Sequence, residues 1–229
     1  MSSIEPPRVP VTELRRGLDE ERVGNEMYAR LARLFPICRS ITGNGLRETL
    51  RLIEQEVDVR TRELPTGTRV FDWTIPQEWN IRDAYIKDRH GRRVVDFAVS
   101  NLHVVNYSVP VHATLGLSEL QEHLFSIPDQ PEWIPYKTSY YTRSWGFCLT
   151  HRQREALEDD QYEVRIDSTL EDGHLTLGEC FLPGREQHEV LISGGEDHKT
   201  GQANDPARRY DAIEKWTRVR FPEAGGPWR

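Results

Sequence analysis

Two early segments of the chain carry apolar residues at helical spacing. In "NEMYARLARLF", Met27, Leu31 and Leu34 fall on one side of a helix, with Tyr28 and Phe35 beside them. Pro36 interrupts that helix, because proline has no N–H for the backbone ladder and clashes with the preceding turn. In "SITGNGLRETLRLIEQEV", Gly43-Asn44-Gly45 supplies a turn, and Leu46, Leu50 and Ile53 form the apolar stripe of a second helix. Residues 1–22, with Pro6, Pro7 and Pro10, read as a loose polar tail.

Past Glu63 the pattern changes to short runs rich in Val, Tyr, Phe and Trp. "TRVFDWTIP", "RDAYIKD", "RRVVDFAVS" and "LHVVNYSVPV" predict strands, punctuated by Pro65, Gly67, Pro76, Gly91 and Pro110. "KDRHGRR" predicts a hairpin loop. "SELQEHLF" predicts a short helix capped by Ser118, with Gln121 completing a capping box. "DQPEWIPYKTSYY" reads as a loop and "WGFCL" as a strand. Thr150 caps a short helix in "HRQREAL". "YEVRIDS", "GHLTLGECFLPG" and "HEVLIS" predict three further strands. From Gly194 the texture changes again, and "DPARRYDAIEKWTRVRF" predicts one amphipathic helix over 206–221. Tyr210, Ile213 and Trp216 are on its apolar side, and Pro206 suits its first turn. No internal repeat is visible.

Composition narrows the partners. The net charge of -7 disfavours a general nucleic-acid or anionic-membrane binder, since both reward clustered Lys and Arg. Cys38, Cys148 and Cys180 are far apart and odd in number, which argues against a disulfide framework or a zinc knuckle and suits a reducing cytoplasm. No apolar run reaches membrane-spanning length, and the N-terminus lacks an apolar signal core.

Candidate chemistry is sparse in residues 1–193. Trp73 and Trp79 stand among acids, an arrangement that binds sugars or amines, but aromatic residues beside a turn more often serve packing. Glu171 and Asp172 are paired acids, yet Asp172-Gly173 reads better as a hairpin turn. His103 reads as a structural residue. No two His share His-x-x-x-His spacing, no Gly-x-Ser-x-Gly occurs, and Gly43-x-Gly45 is too short to be a phosphate loop.

The motifs "LFPICRSITGNGLRETL", "VFDWTIPQEWNIRDAYI", "SNLHVVNYSVPV", "IPDQPEWIPYKTSYY", "WGFCLTHRQ" and "IDSTLEDGHLTLGECFLPG" resemble a bacterial aminopeptidase-like family related to zinc aminopeptidases of the M28 type. The resemblance runs from about Gly24 to Ser193. It implies an α/β peptidase core that begins with the first helices, a β-rich inserted domain, and a core strand at "HEVLIS". It further implies a zinc-binding segment immediately after that strand, where zinc polarises the peptide carbonyl and activates water. There the chain departs from the family. Gly194-Gly195 replace Thr-His, His198 falls level with the second family histidine, and Asp205 stands one residue later than the metal-binding aspartate. Pro206 to Arg209 replace the Asn-x-Ser-Gly that follows. Residues 194–225 instead resemble part of the substrate domain of FAD-dependent oxidoreductases of the amino-acid-oxidase type. Their dinucleotide-binding region has no counterpart, so no FAD site is expected.

The expected fold is α+β mixed: N-terminal helices, a mostly antiparallel β domain, and an incomplete α/β aminopeptidase-like core. The expected segments are a tail at 1–22, the helical start of the core at 23–60, a β-rich inserted domain at 61–188, and a core strand with a divergent C-terminal helix at 189–229. The expected function is an aminopeptidase-like protein that is truncated and catalytically incomplete, with a non-catalytic β-rich binding module as the alternative. The resemblance implies zinc, for which only His198 and Asp205 stand as ligands, too few to hold it in this chain; no catalytic residue is assigned. An active protein would take a peptide or a small amine-containing substrate. Neither nucleic acid nor membrane is an expected partner. The exposed edge of the unfinished core at Val190-Leu191-Ile192 makes homo-oligomers an expectation, and the expected location is the cytoplasm.

Overall fold

The structure, a computed structural model, describes residues 18–182. The strand expected at 188–193, the helix expected at 206–221 and both metal-ligand candidates, His198 and Asp205, lie outside the described residues. The chain divides into two units, residues 1–37 and 38–229.

In the first unit, helix α1 (Glu20–Leu34) begins inside the segment read as a tail. Asp19 starts it: its carboxylate accepts from Arg22 N at 3.0 Å, and Glu20 and Glu21 follow in the first turn, where acids suit the positive end of the helix. No residue of α1 is buried, so its apolar spacing does not translate into a packed face within the helix's own unit.

The second unit opens with helix α2 (Asn44–Glu54), which buries Leu46, Thr49 and Leu50. Strand β1 (Arg60–Pro65) follows, then the small hairpin β2 (Arg69–Val70) and β3 (Trp73–Thr74). Next come β4 (Glu78–Lys87), β5 (Arg93–Asp96), β6 (Val111–Gly116), the short helix α3 (Leu117–Leu120), β7 (Leu124–Phe125) and β8 (Phe147–Cys148). Helix α4 (His151–Glu155), β9 (Gln161–Glu171) and β10 (His174–Glu179) complete the described chain. Four strands form an antiparallel sheet in the order β5-β4-β9-β6, and β1 pairs antiparallel with β10 in a separate sheet. β7 and β8 make a short parallel pair. The fold is therefore α+β, with antiparallel sheet dominant.

Alternation decides which face of the large sheet is the core. Along β9, Tyr162, Val164, Ile166 and Ser168 are buried, whereas Glu163, Arg165 and Asp167 point the other way. Ala84, Ile86 and Val95 join the buried face, and Val104, Leu120, Leu124, Phe147 and Leu149 cover it. The outer face is charged. Tyr85 lies there beneath Lys87 and Arg93, each about 4 Å from its ring (4.2 and 4.3 Å), and its hydroxyl donates to Glu163 at 2.7 Å.

Three expectations need correction. "LHVVNYSVPV" is not a continuous strand: Asn101–His103 is a 3-10 turn, and Val104 and Asn106 make only isolated bridges, to Phe147 and Thr138. An apolar run can fill a core without entering a ladder. Ser118 does not cap the helix after β6; α3 starts from Gly116 without a side-chain cap. Asp172-Gly173 is not a hairpin turn, because β9 and β10 belong to different sheets; it is the corner at which the chain passes from one sheet to the other. By contrast, Thr150 caps α4 with a full capping box to Gln153.

The first turn of α2 depends on close backbone approach. A methyl group on Gly45 would stand 2.0 Å from the Cys38 carbonyl oxygen, which is backbone and cannot swing away. Gly45→Ala should therefore destabilise the protein by about 1–3 kcal/mol, the magnitude of overpacking, in urea denaturation. A loss below about 0.5 kcal/mol would contradict this packing.

Candidate functional site

Two polar clusters lie at the junction of α2, β1, β10 and the large sheet, and the motifs noted in the sequence converge on them. The first is built on Arg47 of α2 and Glu78, the first residue of β4. Their contact is bidentate, at 2.8 Å (Nη1 to Oε1) and 2.5 Å (Nη2 to Oε2). Arg47 Nε also donates to Glu63 of β1 at 3.1 Å, and Nη1 to Asn44 at 3.1 Å. Glu78 further accepts from Asn80 Nδ2 and from the His174 backbone N–H of β10, both at 3.1 Å. One carboxylate thus ties α2, β4 and β10, and Arg47 adds β1. Gly173 makes room for it, since a methyl group there would come within 2.5 Å of Glu78 Oε2. The Arg47 guanidinium outweighs the cost of burial and holds the Glu78 carboxyl down at about 2, while Glu78 raises Arg47.

The second cluster centres on Asn106 and Tyr107. Tyr107 has a left-handed backbone (φ 68°), rare for a bulky residue and costly by about 1–3 kcal/mol. Its surroundings fix it. Its hydroxyl is 2.6 Å from Thr42 Oγ1, its ring stacks on Trp79 at 5.8 Å, and the Tyr140 ring meets it edge-on at 4.8 Å. Thr42 also accepts from Trp79 N at 3.0 Å, and Trp79 Nε1 donates to the Ser108 carbonyl at 2.9 Å. Next door, the Asn106 backbone donates to Lys137 O at 2.8 Å and accepts from Ser139 N at 2.9 Å, which holds the 130s loop. Burial pushes the Tyr107 hydroxyl up to about 12, although the Thr42 bond opposes this. Trp79 is therefore a packing residue, and Trp73 is only half-buried at the small hairpin.

Other candidate groups are also committed to the fold. His103 is buried, with Nδ1 2.7 Å from the Cys148 carbonyl, and burial lowers its pKa. Cys148 is buried and pushed up to about 12. Ser126 Oγ lies 3.0 Å from His151 Nδ1, and His151 Nε2 lies 3.7 Å from Glu155. That order of groups suits a nucleophile and its base. The Glu155 contact, however, is an ion-pair distance across one helical turn with a carboxylate 67% exposed, unlike a buried orienting acid. Among the described residues no group of three or more His, Cys, Asp or Glu is placed to hold a metal ion.

The part of the chain that carries the large sheet and the Asn106–Tyr107 cluster also matches a known family. Residues 78–169 match the Domain of unknown function (DUF2172). The matched segment begins at Glu78 itself and ends within β9. A Clostridium acetobutylicum protein, provisionally named a polysaccharide biosynthesis protein with aminopeptidase-like domain, is 50% identical over 175 residues, covering 76% of this chain and 40% of that protein. A crystal structure of a provisionally named peptidase from the same organism superposes with a TM-score of 0.70 at 49% identity, covering 74% of this chain and 40% of that one. The human DnaJ homolog subfamily C member 7 is 30% identical over 93 residues, 38% of this chain and 19% of that protein. The chain thus spans about two fifths of the length of the clostridial relatives.

The residues that organise the junction were not singled out from sequence. Arg47 and Glu78 are far apart along the chain, and Gly43-x-Gly45 marks only a turn in the sequence. A methyl group on Gly43 would meet the Trp79 carbonyl at 2.2 Å.

Two outcomes test the junction. Glu78, held below its ordinary 4.5, stabilises the fold above pH 4.5, and that contribution is lost as pH falls from 4.5 toward 2. The drop corresponds to about 3 kcal/mol at 1.36 kcal/mol per pH unit. Glu78→Gln should therefore lower stability by roughly that amount at pH 7, with the gap to wild type closing near pH 2 in chemical denaturation. Thr42→Val strips a partner from both Tyr107 and Trp79 N and should cost about 2–4 kcal/mol; a neutral result would remove Thr42 from the network.

Proposed function

We propose that the chain serves as the recognition module of an aminopeptidase-like protein of the zinc metallopeptidase type and performs no hydrolysis itself. The observation that carries this reading is the use made of the perturbed titratable groups. A catalytic acid, base or nucleophile must keep an atom available to substrate. Here both Glu78 oxygens are taken by Arg47, Asn80 and His174; the Tyr107 hydroxyl is taken by Thr42; and His103 Nδ1 faces the Cys148 carbonyl. The names of the clostridial relatives support the aminopeptidase-like part of the reading, and the described β-rich domain supports the module. The substrate class is a peptide or a small amine-containing molecule, and three free cysteines suit a cytoplasmic setting.

Zinc belongs to this reading through the resemblance at His198 and Asp205. Those two residues fall short of the three protein ligands that a catalytic zinc ordinarily takes, and among the described residues no three His, Cys, Asp or Glu are grouped to hold a metal ion. Zinc chemistry is accordingly assigned to no residue of this chain.

Thermal melts with zinc and with a chelator, paired with hydrolysis of leucine p-nitroanilide, test the proposal. A folded-state ligand at a hundredfold its Kd adds about 2.7 kcal/mol. The expected result is one cooperative melt that zinc leaves in place, with no hydrolysis above buffer. A zinc-raised melt together with hydrolysis that His198→Ala abolishes would overturn it.

A further inference from the structure

Among the described residues, three buried side-chain oxygens have no hydrogen-bond partner in the protein: Ser40 Oγ, Asn106 Oδ1 and Thr138 Oγ1. A buried polar atom is ordinarily paired with protein or with ordered water, because an unpaired one has given up its hydration without return. The fold gathers the segments that carry all three. The Asn106 backbone bonds on both sides of Thr138, donating to Lys137 O and accepting from Ser139 N, so Asn106 and Thr138 are partners in a parallel bridge. Residues paired in that way project their side chains to the same side of the ladder. Segment 39–42 runs beside Asn106 and Tyr107: Asn106 Nδ2 donates to Arg39 O at 3.4 Å, and Thr42 Oγ1 lies 2.6 Å from the Tyr107 hydroxyl. Ser40 stands between those two contacts and is 1% exposed.

Chemistry fixes the orientation of the Asn106 amide. A peptide carbonyl only accepts, so the group facing Arg39 O is the amide NH2. The same nitrogen lies 3.4 Å from the Tyr136 hydroxyl, which is itself 3.1 Å from the Tyr140 hydroxyl. Oδ1 is then an acceptor in need of a donor. Thr138 carries a hydroxyl on the same side of the bridge, yet the two make no bond. Buried polar neighbours that miss one another are the usual setting of a bridging water.

We propose that a buried water molecule is built into this fold, donating to Asn106 Oδ1 and hydrogen-bonded to the Thr138 and Ser40 hydroxyls. The donors and acceptors balance. The water gives one proton to Asn106 Oδ1 and the other to one hydroxyl oxygen, and it accepts from the second hydroxyl, which leaves none of the three oxygens unpaired. A metal ion does not suit the place, since three neutral oxygens fall well short of the roughly six to eight that calcium takes. The water ties together segment 39–42, the strained Asn106–Tyr107 turn and the 130s loop. Among the described residues these share one isolated bridge and no strand ladder. The inference is independent of the recognition-module reading.

The test is magnetic relaxation dispersion of the water oxygen signal, measured on the full chain. It registers waters held far longer than surface ones, and because it reads oxygen, exchanging hydroxyl protons do not contribute. Wild type should show a slow step that Thr138→Val reduces by the contribution of a single water. Thr138→Ser keeps the hydroxyl and should keep the step. In urea denaturation Thr138→Val should raise the unfolding equilibrium constant about tenfold, as loss of a buried hydrogen-bond partner does, with Thr138→Ser closer to wild type. Equal steps in wild type and Thr138→Val would overturn the proposal. A high-resolution crystal structure of the wild type gives a second reading that needs no variant to fold. A water within hydrogen-bond distance of Asn106 Oδ1, Thr138 Oγ1 and Ser40 Oγ is the expected result. A Thr138 hydroxyl donating directly to Asn106 Oδ1, or a coordinated ion at that place, would overturn it.

Discussion

The bidentate contact between Arg47 and Glu78 is the constraint on which the described fold turns. Taking a carboxylate out of water opposes folding, and it is tolerated only where donors replace the lost hydration. Arg47, Asn80 and the His174 N–H do so here, each from a different stretch of chain. The consequence is architectural. This carboxylate joins α2 and β10 to the first residue of β4. Gly173 keeps the corner clear, and Asn80 Oδ1, accepting from Asn44 N at 2.7 Å, fixes the start of α2 from β4.

The Tyr107 cluster extends the same logic inward. A strained backbone residue persists because an aromatic stack, an edge-on ring and a hydroxyl pair surround it. Polar groups that would be candidates for chemistry elsewhere are spent here on holding loops in place.

Sequence patterns located much of this fold. Helical spacing located α2, Thr150 as an N-cap located α4, and runs of β-formers located β4, β9 and β10, because each signal is local. The long-range features were not legible. Arg47 and Glu78 stand 31 residues apart, and nothing in either neighbourhood marks them as partners. "LHVVNYSVPV" misled because its apolar residues are buried by the core and by the 130s loop rather than by a ladder, and burial alone does not specify a strand. Asp172-Gly173 misled because a turn signal reports a change of direction and not which sheet receives the chain. His103 and Trp79 were read correctly as packing residues, while Asn106 and Tyr107, inside a quoted motif, drew no notice.

Native-state hydrogen exchange on the wild type and Arg47→Met tests the central claim most directly. If the Arg47–Glu78 contact joins the two sheets, the variant should lose protection first in α2, β1 and β10, with β4 and β9 amides remaining at their wild-type protection. Loss spread evenly over every strand, or no change in α2, β1 and β10, would contradict the account.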